Sequence, residues 1–350
     1  MSGALSLIPI PDSIPVPWGW FEALLLGTFV CHLLLMNAVL GSGLFLLLGG
    51  REAASARKAL AKRLPTGLAL TVNLGVPPLL FLQVLYGQFL YTSSVLTAVY
   101  WLSAVGLTML AYALLYGHAG QPKASDWRRL CLPGAVAALL LVSLIMTNTM
   151  TLVQRPEAWT AYFKDPAGTI LNVADPTFLP RWLHFLLASV AVGGLSVALL
   201  ASKTTPDPEE SSAVGARGLK WFTYASLLQI VAGGWWLLSL PQEVMLRFMG
   251  ASGLSTAVFV AALGAAALAI AMGFQGRARA AAWSVALTVA LMTGVRELSR
   301  TAMLGDGYRP DAYLVTGQYG PMVLFLGSLV LGVAAVAYML RLHLRAGGGI

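Results

Sequence analysis

Nine apolar runs, each long enough to cross a bilayer at roughly 20 residues per crossing, constrain this chain more than any other feature. They cover about 19–49, 66–92, 94–116, 130–152, 180–201, 219–240, 250–274, 279–303 and 319–343. The second and third are separated only by the turn Tyr91-Thr-Ser-Ser94, and the eighth loses apolar character where Arg296, Glu297 and Arg300 appear. In lipid every backbone polar group must be satisfied within the segment, so runs of this length read as helices. With 58% apolar and 10% charged residues and a mean hydropathy of +0.76, the expectation is an all-α integral membrane protein. A single transmembrane domain fills 1–350, with an outer Pro-rich arm at 1–18 and outer loops at 153–179 and 304–318. The arm carries no basic n-region, which argues against a cleavable signal. No soluble domain and no clear repeat stands out.

The net charge of +8 invites a nucleic-acid reading, but the basic residues fall in short loops between the runs. Arg51, Arg57, Lys58, Lys62, Arg63, Lys123, Arg128, Arg129, Lys203, Arg217, Lys220, Arg277, Arg279, Arg341 and Arg345 are 15 of the 22. They alternate along the chain with loops that hold only Arg155, Lys164, Arg181, Arg247, Arg296, Arg300 and Arg309. By the positive-inside rule the N-terminus lies outside and the C-terminus is cytoplasmic, as an odd number of spans requires. The partner implied is the lipid bilayer, not nucleic acid. The segment Ile8 to Pro17 reads as polyproline-like along the outer surface, and 153–179 as an amphipathic stretch that can lie on the membrane face. The connector 202–218 reads as flexible and acidic.

Chemistry has few carriers here. The two cysteines, Cys31 and Cys131, form no C-x-x-C-H, which excludes covalent haem by that motif and any Cys-rich zinc or iron–sulfur site. Among 14 acids only Glu297, and Glu22 at an interface, falls within an apolar run. Carboxylate-gated pumps and transporters usually need more along their path.

The stretch Asp175-Pro-Thr-Phe-Leu-Pro-Arg-Trp-Leu-His184 organises what remains. Pro180 suits the first turn of a helix, Arg181 and Trp182 suit the interface, and His184 then lies one turn inside the fifth span. Neutral imidazole is a haem-iron ligand; a hydrogen bond to a neighbouring helix is the plainer reading. His32 lies about 13 residues into the first span, ~20 Å deep at helical rise, with no water near. His118 and His343 lie at inner helix ends, where reaching water costs little. Met249, in Leu246-Arg-Phe-Met-Gly250, starts the seventh span, where a thioether can face His184 across an iron or simply pack. Arg247 beside it can neutralise a haem propionate. Glu297 and Arg300 share one helix face at i, i+3, either as an ion pair near the outer interface or as a carboxylate near an iron, with Arg296 and Arg300 on propionates. Arg309 and Asp311 are candidates to join that network.

In order, span number and side, these residues resemble subunit I of the cytochrome bd-type quinol oxidases. The matches are His32 in Phe29-Val-Cys-His32, His184 opening the fifth span, Arg247-Phe-Met249, Glu297-Leu-Ser-Arg300 and Gln154-Arg-Pro156. The resemblance covers roughly the whole chain. It implies nine spans in a bacterial inner (cytoplasmic) membrane and one to three haems of b type, a d-type haem being an option for one of them. His184 and Met249 would ligate a low-spin haem; His32 and Glu297 would serve the others. Gln154, Arg155 and Glu157 would meet quinol. All but His32 would lie near the outer face.

The departures narrow the function. The oxidases' Gly-Arg-Gln-Pro-Trp reads Ser299-Arg-Thr-Ala-Met303 here, the quinol loop shrinks to about Pro241–Arg247, and the third span holds no acid. Reducing dioxygen consumes protons, and that route lacks its carboxylates. The expectation is a shortened bd-like subunit passing electrons between the quinone pool and a periplasmic partner, a multihaem c-type cytochrome, beside other membrane subunits. The alternatives are a dioxygen-reducing quinol oxidase, and a haem-free transporter or structural subunit in which Arg247, Arg296 and Glu297 form an outer ion-pair cluster.

Overall fold

The computed structural model describes residues 6–49, 54–120, 126–205 and 207–346; Arg51 and Lys123 of the basic loops lie outside them. The chain is all-α, with nine long helices among the described residues. These are α1 (Trp18–Leu48), α2 (Ala54–Leu96), α3 (Ala98–Gly120), α4 (Asp126–Val153), α5 (Phe178–Thr204), α6 (Pro208–Leu238), α7 (Gly253–Phe274), α8 (Ala278–Leu304) and α9 (Tyr319–Ala346). Eight are long and apolar enough to cross a membrane, which makes this a multi-pass membrane protein in contact with lipid. The exception is α6. It has the length, 31 residues, but Lys220, Tyr224, Gln229, Trp235 and Trp236 dilute its apolar character.

Two element boundaries differ from the expectation. The turn expected at Tyr91–Ser94 is helical, and α2 runs on to Leu96. Its hydroxyls stay inside the helix: Thr92 donates to the Gln88 carbonyl at 2.9 Å and Ser94 to that of Leu90 at 2.7 Å. The chain breaks instead between Leu96 and Ala98. The acidic connector is also helical from Pro208. Asp207 caps α6 by accepting from the Glu209 and Glu210 amides, and Pro208 occupies the first turn, where no N–H is missed.

Contrary to the sequence reading, the packing repeats. In the first four helices α1 packs on α2, α3 on α4, α2 on α3 and α1 on α4; α5 to α8 reproduce each of these pairings. The halves join mainly through α1 against α5, with α8 reaching back to α1. At the joint the backbones touch. A Cβ on Gly41 would stand 1.7 Å from the Ser189 carbonyl oxygen, and one on Gly193 would stand 2.2 Å from the Gly41 carbonyl carbon. Small residues allow such close approach where no hydrophobic effect drives helices together. Beside the crossing the Ser189 hydroxyl donates to Asn37 Oδ1 at 2.7 Å, both buried. The two strings align as His32-Leu-Leu-Leu-Met-Asn37-Ala-Val-Leu-Gly41 and His184-Phe-Leu-Leu-Ala-Ser189-Val-Ala-Val-Gly193. Four helices per repeat restore the same direction, the parallel kind of membrane repeat.

One end of the bundle is closed by the arm and the loops 153–179 and 304–318. The arm is not merely superficial. Ile14 and Val16 are buried, Ile14 N–H donates to Leu314 O at 2.8 Å, and Thr316 N–H returns to Ile14 O at 2.9 Å. Nor does 153–179 simply lie flat: Trp159, in the 3₁₀ segment Pro156–Phe163, is buried and donates to Leu152 O at 2.9 Å, leaving Phe163 exposed. Among the described side chains of 319–339 in α9 none is fully buried; the Phe325 ring meets Phe81 edge-on at 6.1 Å.

Candidate functional site

Both intramembrane histidines are seated the same way. His32 Nδ1 lies 3.0 Å from the Thr71 carbonyl oxygen on α2, and His184 Nδ1 lies 3.2 Å from that of Gln229 on α6. A backbone carbonyl only accepts, so Nδ1 carries the proton in each ring and Nε2 keeps its lone pair. Four residues on, one helical turn, each seat has a glycine. A Cβ on Gly75 would come within 2.8 Å of the His32 ring, and one on Gly233 within 3.2 Å of the His184 ring. The missing side chain makes room for the imidazole against the neighbouring helix. Each histidine stands nine residues before its crossing glycine, so the two lie at comparable depth. This differs from the expectation of a deep His32 and a shallow His184, because α1 extends further than α5 at the arm end.

The surroundings of the two Nε2 atoms differ. At His184 the Gln229 side-chain amide lies 3.3 Å from Nε2 and donates to it, which agrees with the tautomer. At His32 the Phe29 ring lies alongside, centroids 6.3 Å apart and 25° between planes. The guanidinium of Arg296 covers that Phe29 ring at 4.7 Å.

Glu297 and Arg300 sit inside the bundle rather than at its edge. Glu297 and Arg300 are both buried, Arg300 completely. The carboxylate accepts from Arg300 Nη2 and from the Tyr86 hydroxyl. Tyr86 arrives there because α2 leaves helical geometry at that residue (φ −125°, ψ 25°), eight residues beyond Pro77-Pro78. Its ring is covered on one side by the Arg300 guanidinium at 4.1 Å and stacks on Tyr308, centroids 4.3 Å apart. Arg309 and Asp311 do not join this group: both are exposed, and Arg309 pairs with Asp306 at 3.3 Å. Tyr308 and Tyr313 of the same loop take the place expected for them. Tyr313 donates to Leu85 O and accepts from Gln88 Nε2, both at 2.8 Å. Burial pushes both loop phenols above the ordinary tyrosine range.

The residues expected to meet quinol are tied into the loop end. Gln154 is buried and accepts from Arg181 Nη2 at 2.8 Å. Arg155 pairs with Asp175 at 3.0 Å and reaches the exposed Glu157 at 3.5 Å. Asp175 in turn accepts from the Thr177 amide at 2.8 Å, which fixes the approach to α5. Arg247 and Met249 are exposed, on a π turn (Arg247–Ala251) entered from the short helix Gln242–Leu246; Phe248 between them is the buried one. Gly250 closes that turn at φ +117°, a conformation natural to glycine.

Four contributors escaped sequence reasoning: Arg181, Gln229, Gly233 and Tyr86. Arg181 read as an interface anchor, although it stands at i−3 to His184 and hence on the same helix face. Gly233 follows Gln229 by four residues as Gly75 follows Thr71, but the acceptor in each seat is a backbone carbonyl, which leaves no side-chain signature. Tyr86 gave no signal. Among the described residues no three His, Cys, Asp or Glu side chains gather as a metal-holding group; haem iron needs only one or two protein ligands. No family model matches the chain, and no curated protein does.

Proposed function

We propose that this chain is a haem b-carrying electron-transfer subunit with nine spans, its N-terminus outside, in a bacterial inner membrane. It links the quinone pool to an extracytoplasmic multihaem c-type cytochrome. The observation that carries this reading is the pair of imidazole seats. A histidine that serves iron donates its far N–H to a fixed acceptor, which sets the tautomer and the ring orientation. Both His32 and His184 do this inside a membrane bundle, where an ionisable side chain is rare without a task. Donor-rich arginines on α5 and α8 suit an acid-bearing macrocycle; the glycine at each seat admits the imidazole itself. Bound there, haem b supplies one-electron redox chemistry. The protein's own part would be to present Nε2 of His32 and, once the Gln229 amide that now donates to it is displaced, Nε2 of His184, and to exclude water. The resemblance also assigns Met249 as a second ligand beside His184, but its side chain is exposed on the π turn, which leaves His184 as the ligand the bundle itself supplies; Glu297 is the carboxylate it assigns to a further haem. With Lys220 among the basic residues at the end remote from the arm, α6 completes the odd count that the loop charges require.

Purified protein given a quinol should develop the absorbance of reduced haem b and pass the electrons to an added c-type cytochrome without consuming oxygen. Oxygen consumption at a matching rate supports the oxidase instead, and a colourless preparation refutes both.

A further inference from the structure

The arm end of α8 holds more positive charge than the neighbouring protein neutralises. Arg300 is completely buried; its Nη2 is taken by Glu297, but Nε and Nη1 have no hydrogen-bond partner. Arg296, one turn away, rests on the Phe29 ring. Arg181 donates to two neutral oxygens, Gln154 Oε1 at 2.8 Å and Thr177 Oγ1 at 3.4 Å. Among the described residues no ion pair involves Arg181 or Arg296. Arg296 and Arg300 stand one turn apart on α8, and Arg181 lies in the first turn of α5, which packs on α8. Asp175 is held by Arg155. Among the described residues only Arg300 of these three cations is paired with a carboxylate. An uncompensated charge in a bundle interior is costly, and so is a buried donor without an acceptor.

We infer that Arg181, Arg296 and Arg300 form a binding site, where α1, α5 and α8 meet, for the acidic group of a ligand. That group is a carboxylate or a phosphate, and Nε and Nη1 of Arg300 are the donors held open for it. A planar guanidinium suits either oxyanion. Two sources fit the chemistry: a propionate of a tetrapyrrole, or the phosphate of an anionic phospholipid. The first rests on the haem reading above; the second stands without it. Arg181 is the residue that this adds, since Arg247 is exposed on the π turn.

The test uses the full chain purified in mild detergent, with its haem measured as the pyridine haemochrome and its bound phospholipid by native mass spectrometry. R181Q and R296Q are compared with wild type, with R181K and R296K as charge-preserving variants and K164Q, on the exposed loop, as a control. With a propionate in the site, R181Q and R296Q lower the haem midpoint potential and speed haem loss to apomyoglobin severalfold, while the lysine variants fall between. With a phosphate in the site, wild type retains an anionic phospholipid that R296Q has lost, and adding that lipid back raises the melting temperature of wild type but not of R296Q. Bound lipid without haem ends the haem reading and keeps this site. Haem with unchanged potential and retention in every variant, and no bound lipid, overturns the site and leaves the haem reading intact. A wild-type protein that binds neither overturns both.

Discussion

The two halves of the bundle share a seat but not a charge. Helices α1 and α5 each carry a histidine nine residues before a glycine crossing, and each ring leans on its partner helix in one geometry. The fourth helices diverge. Near its arm end α4 presents Thr147, Asn148, Thr149 and Thr151, neutral and buried, whereas α8 presents Arg296, Glu297 and Arg300. The neutral set is consumed by structure: Thr149 meets Thr97 at 3.2 Å, and Asn148 accepts the Asn172 amide at 2.7 Å. The charged set is left with donors unspent. The repeated packing accounts for the seat; the charge marks where the halves differ.

The crossing offers the harshest way to break this comparison. Valine at Gly41 or at Gly193 forces a Cβ into backbone that cannot yield, at a cost at or above the upper end of the usual overpacking range of about 1–3 kcal/mol. Both variants should fail to give monodisperse protein by fluorescence-detected size exclusion. Tolerance at one site alone would deny the symmetry. Next in size is Glu297→Ala, which strands the Arg300 charge and the Tyr86 hydroxyl and should cost about 3–5 kcal/mol, seen as a large fall in melting temperature. Asn148→Ala, in the other half, should cost about 1–3 kcal/mol by leaving the Asn172 amide unsatisfied.

The seats can be compared more finely. Gly75→Ala collides with the His32 ring at 2.8 Å, while Gly233→Ala meets His184 at 3.2 Å. The first should perturb the visible spectrum and stability more, by about 1–3 kcal/mol against less than about 1 kcal/mol. The reverse order would show that His184 is the more tightly held. The smallest expected effect is with pH. The raised phenols of Tyr308 and Tyr313 make the folded state hold protons that the unfolded chain releases near pH 10. Their contribution is complete below that value and is lost as pH rises above it. Tyr313→Phe should flatten the decline in melting temperature on the alkaline side.

Much of the helical plan was legible from hydrophobic runs, because a bilayer leaves the backbone few options. What escaped was tertiary. The repeat is carried by a histidine, a small polar residue and a glycine in a background of interchangeable apolar residues, too sparse to stand out. The end of α2 was misplaced because Thr92 and Ser94 look like turn formers but bond back within their own helix. At the site, His32, His184, Glu297 and Arg300 were identifiable as costly residues in lipid. The seats beneath the histidines and the convergence of Arg181 on α8 depend on how helices far apart in sequence pack, which no local pattern encodes.

The most direct measurement is the pyridine haemochrome of the folded, purified chain, repeated for His184→Ala and His32→Ala. A haem-carrying bundle gives haem b in whole-number stoichiometry to protein, with each alanine variant folding but losing part of it. A monodisperse protein without haem, or full haem content in both variants, would contradict the assignment.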